Sequence, residues 1–228
     1  MGIQTKLLTV IFSGELRPHE IPAFRGAIAQ KVGRKHTLFH NHKGDSFRYG
    51  YPLIQYKAIK RQPALFCIGA GVEEIHHFFT QKDWSIQVSG RSLEMKIDQL
   101  YMNQHFLQVW EQSFSYRIHN WLALNQKSYK VFWEKKDDPE EQKAFLSRIL
   151  RGNILSLAKG LDWRIDKEVK IQLSSDFRMR PTKVKGIAMS AFSLEFQSNV
   201  SLPPRIGLGR HVSLGYGSVF PQKDTTLS

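Results

Sequence analysis

The chain has 228 residues, enough for one large domain or two of about 110 residues, and its 41% hydrophobic and 12% aromatic content excludes a disordered chain or a collagen-like fibre. Its 33 Lys and Arg outnumber 20 Asp and Glu, a net charge of +13 that favours polyanions, nucleic acid before an anionic membrane. Cys67 is the single cysteine, which excludes an internal disulfide and a cysteine-based zinc site and fits a reducing cytoplasm. Leu7–Phe12, the most apolar N-terminal stretch, is too short to span a bilayer and lacks the extended core of a signal peptide. Met1-Gly2 has Lys6 where a myristoylation signal wants Ser or Thr. The expectation is a cytoplasmic protein without a membrane partner.

In chain order, Thr5–Ser13 reads as a buried strand, rich in apolar and β-branched residues. Arg17-Pro18 opens a helix with Ile21, Phe24, Ile28 and Val32 on one face, stopped by Gly33. A basic, His-rich loop runs from Arg34 to Ser46. Phe47–Ile59 and Ala64–Gly69 read as strands, split by Lys60-Arg61-Gln62-Pro63. Gly71–Gln81 reads as a short helix with Val72, Ile75 and Phe79 inward. Trp84–Val88 and Leu93–Ile97 form a hairpin around Ser89-Gly90-Arg91. The order β-α-β-β-α-β is ferredoxin-like.

A second unit follows. Phe106–Val109 and Phe114–Leu124 are strand-like runs. Asp137-Asp138-Pro139-Glu140-Glu141 is a strong helix start, and Leu146, Ile149, Leu150, Ile154, Leu157 and Leu161 keep helical spacing, with Gly152 as a candidate break. Val169–Leu173, Lys183–Met189 and Phe192–Phe196 are further strands, and the Gly- and Pro-rich tail from Ser201 reads as loop. The expected fold class is α+β: two tandem ferredoxin-like (RRM-like) units, antiparallel sheets with helices on one face, divided into residues 1–98 with the His-rich loop and 99–228 with a glycine-rich loop.

The most specific motif is Gly207-Leu208-Gly209-Arg210-His211-Val212-Ser213-Leu214-Gly215-Tyr216-Gly217. Two G-h-G pairs let the backbone turn tightly and approach another chain, and its amides can face phosphates, with Arg205 and Arg210 adding charge. It is not a P-loop, lacking Gly-Lys-Ser/Thr, nor a Rossmann fingerprint, since no helix follows. A surface turn near the C-terminus is the bland alternative. The spacing resembles the C-terminal glycine-rich loop of the sixth CRISPR-associated (Cas) protein family, endoribonucleases of the RAMP superfamily that process CRISPR precursor RNA. Members carry two ferredoxin-like units in a chain of this size. The resemblance covers the last quarter of the chain and, more loosely, Phe24–Lys57.

The second constellation is Lys35-His36-Thr37-Leu38-Phe39-His40-Asn41-His42-Lys43, then Phe47-Arg48-Tyr49-Gly50-Tyr51. Two imidazoles titrating near neutrality can supply a general base and a general acid. Metal-free RNA cleavage needs one group to take the 2′-OH proton, another to protonate the leaving 5′ oxygen, and a cation to steady the phosphorane. The resemblance implies a catalytic histidine at the end of the first helix or just after it, where His40 and His42 lie, and a recruited tyrosine and lysine, carried over onto Tyr49 and Lys31; His42 and His40 rank first, Tyr49 second, and Lys31, Lys43 or Tyr51 well behind. His40-Asn41-His42 lacks a nearby third ligand for a metal, and as a tripeptide it is not an HNH nuclease motif. His76-His77 after Glu73-Glu74 suggests no role, and His211 suggests an RNA contact. No metal or other cofactor is expected. Arg178, Arg180, Lys183 and Lys185 around Pro181 form the basic footprint, and exposed aromatics near it could stack on unpaired bases.

The resemblance therefore implies a metal-independent endoribonuclease that cleaves CRISPR repeat RNA, leaving a 2′,3′-cyclic phosphate and a 5′-OH. Its partners would be that RNA and CRISPR effector-complex subunits, and the chain a monomer or homodimer. The rival is a non-catalytic RAMP-type RNA-binding subunit of a CRISPR ribonucleoprotein complex. An unrelated metabolic enzyme on the same scaffold fits the charge less well.

Overall fold

The computed structural model describes residues 1–33, 35–40, 50–174 and 176–222, with the backbone alone of 42–43 and 46–47. Its contacts divide the chain into two units: Gln4–His105 with Ser213–Gly215, and Met1–Ile3 with Phe106–Val212 and the chain from Tyr216 onward. By contacts the division falls between His105 and Phe106, within the strand Ile97–Leu107, where the sequence suggested Asp98.

In the first unit, β1 (Ile3–Phe12) leads through a 3-10 turn at Pro18–Glu20 into α1 (Ile21–Val32), with Ile21, Phe24, Ile28 and Val32 buried as their spacing predicts. α2 (Thr37–His40) and the two-residue strands β2 (His42–Lys43) and β3 (Ser46–Phe47) replace the expected loop. β4 (Ile54–Ile59) and β5 (Gln62–Ile68) form a hairpin turned by Lys60 and Arg61, both at positive φ, the turn that matches strand twist. The run from Phe47 is not one strand: Phe47 pairs with His42, residues 50–53 lie outside any strand, and Ile54 pairs with Cys67. The following helix is two pieces, α3 (Ala70–Glu74) and α4 (His76–Phe79). The break at Ile75 shifts the phase, so Phe78 rather than Phe79 is fully buried, edge-on to Phe12 at 6.0 Å.

β6 (Ile86–Val88) and β7 (Arg91–Leu93) make a hairpin where one was expected, but its second strand starts at Arg91 rather than Leu93 and ends at Leu93, and the pair forms a separate two-stranded sheet. The last strand of the main sheet is β8 (Ile97–Leu107), giving the order β4-β5-β1-β8. β1 and β5 are antiparallel with Val10 opposite Leu65. The ferredoxin-like arrangement is present, with its final strand supplied by the segment after the hairpin.

The second unit repeats the pattern with one substitution. β9 (Val109–Trp121) leads to α5 (Gln126–Glu134) and α6 (Pro139–Gly160). Asp138 accepts the Glu141 amide at 3.0 Å, the cap foreseen in the sequence. α6 passes Gly152 unbroken for 22 residues, since Leu146, Leu150, Ile154 and Leu157 bury one continuous face. β10 (Ile171–Leu173) and β11 (Arg178–Val184) both pair with β12 (Ile187–Val200), which pairs with β9. β13 (Ser218–Pro221) closes the other side of β9, so the tail expected to be loop ends in a strand. Between β12 and β13, where a ferredoxin-like unit has its second helix, stands the glycine-rich segment with one 3-10 turn at Val212–Leu214. The core gathers Trp121, Phe132, Phe192 and Phe196, with Phe132 and Phe192 edge-on at 5.5 Å. Among the described residues no helix is long and apolar enough to cross a membrane.

Candidate functional site

His40 ends a helix too short to satisfy its own last carbonyls. Two residues from other elements supply the donors. The Tyr56 hydroxyl, fully buried on β4, donates to the Phe39 carbonyl at 2.9 Å, and the Arg25 guanidinium on α1 donates to the His40 carbonyl at 2.5 Å. Phe39 is itself buried and fixes the other side of the turn. Burial pulls Arg25 below its ordinary value, but a guanidinium stays charged at neutral pH. The His40 side chain is half-buried. His42 follows in β2 with its backbone opposite Phe47; its side chain and Lys43's lie outside the described residues, as does Tyr49.

Lys31, at the end of α1, is held by Asp83 at 3.2 Å and by the Ser85 carbonyl. Asp83 is lowered to about 2 by the Ser85 hydroxyl and amide, then by Lys31. Tyr51 accepts a hydrogen bond from the buried Gln55 at 2.8 Å. Among the described residues, one group could hold a metal ion: His36, Glu74 and His77. Desolvation first, then the neighbouring His36 and His76, pulls His77 below the ordinary imidazole value. The sequence hint was Glu74-x-x-His77, one helical turn apart; the arrival of His36 was not legible. Nor were the two anchors, Arg25 and Tyr56.

The glycine-rich segment is tied into the fold by its own backbone. Amides of Arg205, Leu208, Arg210, Gly217 and Val219 all donate to backbone carbonyls of the fold, so the expectation that the segment's amides face phosphate does not hold at those positions. Gly207 bridges Ser218. At Gly209 (φ +96) a Cβ would stand 2.6 Å from the Trp121 indole, and at Gly217 (φ +67) it would strike the Leu208 carbonyl; both positions need glycine for close approach and left-handed backbone. A Cβ at Gly215 would lie 3.1 Å from the Tyr56 carbonyl, so the Ser213–Gly215 stretch rests on β4 beside the residue that anchors α2. The Arg205 guanidinium lies over Phe220 at 6.0 Å.

The basic footprint is a hairpin, β11–β12, turning at Lys185 and Gly186, both at positive φ. Arg178, Arg180, Lys183 and Lys185 are exposed on it. A cavity of 790 Å³ in the second unit is lined by Arg117, His119, Arg178 and Arg180. Arg117 pairs with Glu195, and that bond followed by one from Gln222 lowers the carboxyl. Burial and then Arg117 lower His119. A second cavity, of 680 Å³, is lined by Tyr129, Pro181, Ile187, Arg210 and His211. Arg180 and Arg210 thus line different cavities of the same unit, and Tyr129, 43% exposed, offers the second one a ring on which a base could stack.

Two family models match in tandem, the Cas6b N-terminal domain over residues 1–106 and the Cas6b C-terminal domain over residues 108–222. An uncharacterized protein of Methanocaldococcus jannaschii, MJ0978, is 38% identical over 112 residues, which is 49% of this chain and 74% of that protein. A crystal structure of a Cas6b is similar with a TM-score of 0.87 at 27% identity, covering 96% of this chain and 100% of that one. Another, of a CRISPR RNA processing endoribonuclease Cas6b, has a TM-score of 0.70 at 25% identity, with the same coverage.

Proposed function

The chain belongs to the Cas6b family, and from that membership we propose that it is an endoribonuclease that processes CRISPR repeat RNA without a metal ion. The 2′-OH of one nucleotide attacks its own 3′ phosphate in line, the bond to the 5′ oxygen breaks, and the products carry a 2′,3′-cyclic phosphate and a 5′-OH. His40 and His42 divide the work, one taking the 2′-OH proton and the other returning a proton to the leaving 5′ oxygen. Tyr49 orients them. Lys31, fixed by Asp83 and Ser85, contributes positive charge where α1 ends and the histidine segment departs. The second unit binds the RNA through Arg178, Arg180, Lys183, Lys185 and Arg210, with Arg205 nearby. Gly207, Gly209, Gly215 and Gly217 act by shaping the chain that presents Arg210.

One observation carries this reading: within the first unit, Tyr56 meets both the helix that bears His40, through its hydroxyl, and the glycine-rich segment, at its carbonyl. The two motifs singled out in the sequence converge on one fully buried residue.

Single-turnover cleavage of synthetic repeat RNA in EDTA tests the proposal. The expected result is undiminished cleavage, with His40→Ala and His42→Ala each slowing the chemical step roughly 10²–10⁴-fold while affinity is kept. A strict requirement for magnesium would overturn the mechanism. Tight binding with the RNA left intact would instead make the chain a non-catalytic RNA-binding subunit.

A further inference from the structure

His36 lies in the turn between α1 and α2, Glu74 ends α3, and His77 sits in α4. The imidazole Nδ1 of His36 is 3.2 Å from Glu74 Oε1. The His36 and His77 rings are 3.7 Å apart between centroids and tilted by 38°. One ligand atom from each of the three residues lies within 4.8 Å of the other two. A tetrahedral centre with metal–ligand bonds of about 2.0–2.1 Å holds its ligand atoms roughly 3.3–3.4 Å apart. The His36–Glu74 edge, at 3.2 Å, is close to that length, and the other two edges lie within 4.8 Å.

We propose that His36, Glu74 and His77 form a binding site for a divalent transition metal, zinc(II) by preference, with water as the fourth ligand. Two imidazole nitrogens and one carboxylate oxygen are a set that zinc accepts in four-coordinate geometry. Magnesium and calcium are disfavoured because they demand a shell of oxygen ligands. Glu74 and His77 are three residues apart, so adjoining helical turns project them together, and the His36 side chain, 12% exposed, closes the third side. The His76 ring packs 3.8 Å from that of His77, with its Nδ1 2.5 Å from the Glu73 carbonyl. It thereby supports the ring of a ligand without joining the set.

The site is separate from the cleavage proposed above. Its consequence is mechanical: the His36 carbonyl accepts the Phe39 amide at 3.2 Å, so a metal that ties His36 to α3 and α4 also ties down the start of the helix bearing His40.

The test uses the full chain, stripped with a chelator and titrated with zinc against a chromogenic zinc indicator. One equivalent is expected to bind with submicromolar affinity. His36→Ala and His77→Ala should each weaken binding at least about 100-fold, whereas His76→Ala should stay within about threefold. Should an alanine variant fail to fold by circular dichroism, cobalt(II) bound to the wild-type chain gives a second reading. Visible bands of a four-coordinate N/O site, bleached by one equivalent of zinc, are expected. Absence of stoichiometric binding, or binding that survives loss of both His36 and His77, would overturn the site. RNA cleavage in EDTA does not enter this measurement, so failure here and failure of the nuclease mechanism are distinguishable.

Discussion

Tyr56→Phe removes one oxygen atom, the hydroxyl that anchors α2 through the Phe39 carbonyl. The ring stays, keeping its edge contact with Phe24 at 5.7 Å, but the Phe39 carbonyl loses its donor at 2.9 Å in a place with no exposure to water. An orphaned buried acceptor costs about 1–3 kcal/mol, which for a unit of this size lowers the melting temperature by roughly 4 °C or more per kcal/mol. The same loss loosens the end of α2, where the Arg25 bond to the His40 carbonyl stays in place. Should the full anchor energy be needed to keep the imidazole in place, cleavage slows by about tenfold for every 1.4 kcal/mol. Differential scanning fluorimetry and single-turnover cleavage on one preparation measure both effects, with RNA affinity as the control. A destabilised variant that cuts at the wild-type rate would show that fixing α2 is irrelevant to the chemistry. Unchanged stability would deny the hydrogen bond its role.

Arg180→Ala and Lys183→Ala should weaken RNA binding with little dependence on sequence, and each should lower the slope of log affinity against log salt by about 1; unchanged slopes in filter binding would remove the hairpin from the interface. Gly217→Ala should destabilise the second unit by more than the roughly 1–2 kcal/mol of left-handed backbone strain, because its Cβ meets the Leu208 carbonyl, while Gly186→Ala, at φ +81 with open space around it, should show the strain alone. Equal urea midpoints for the two variants would refute the close-packing role. Burial pushes Tyr116 up to about 12 from 10.0, with the Leu202 amide opposing, and raises Tyr56 and Cys67 too. The folded chain then keeps protons that the unfolded chain releases above about pH 9, so stability is full below that and falls as pH rises. Urea midpoints from pH 8 to 11 should decline, with a shallower decline above pH 10 in Tyr116→Phe; a flat profile would contradict the burial argument.

The glycine-rich segment shows where a sequence pattern is clear in form and open in meaning. Its spacing marks a backbone that must turn tightly, and Gly209 and Gly217 do sit at positive φ against Trp121 and Leu208. The partner of that backbone is nonlocal: the amides of Arg210 and Gly217 go to the Leu122 and Asn120 carbonyls, some ninety residues upstream, and no local pattern specifies such a choice. The same holds at Gly152, where helix propensity suggests a break and a long apolar face overrides it. At Ile75 the opposite occurs, and a run of helical spacing divides into two short pieces.

By itself the sequence determined what each segment's own periodicity and chemistry require: the buried face of α1, the Asp138 cap, the β-α-β-β-α-β order of the first unit, the excess positive charge, and the two motifs. These are local, because side-chain spacing and backbone preference act within a few residues. Tertiary structure alone decided which distant groups share a place: Arg25 and Tyr56 on the carbonyls of α2, His36 beside Glu74 and His77, and a glycine-rich segment where the second unit's helix would stand. Such meetings are set by how faces pack once the chain has collapsed, and packing pairs residues by shape and burial rather than by their distance along the chain.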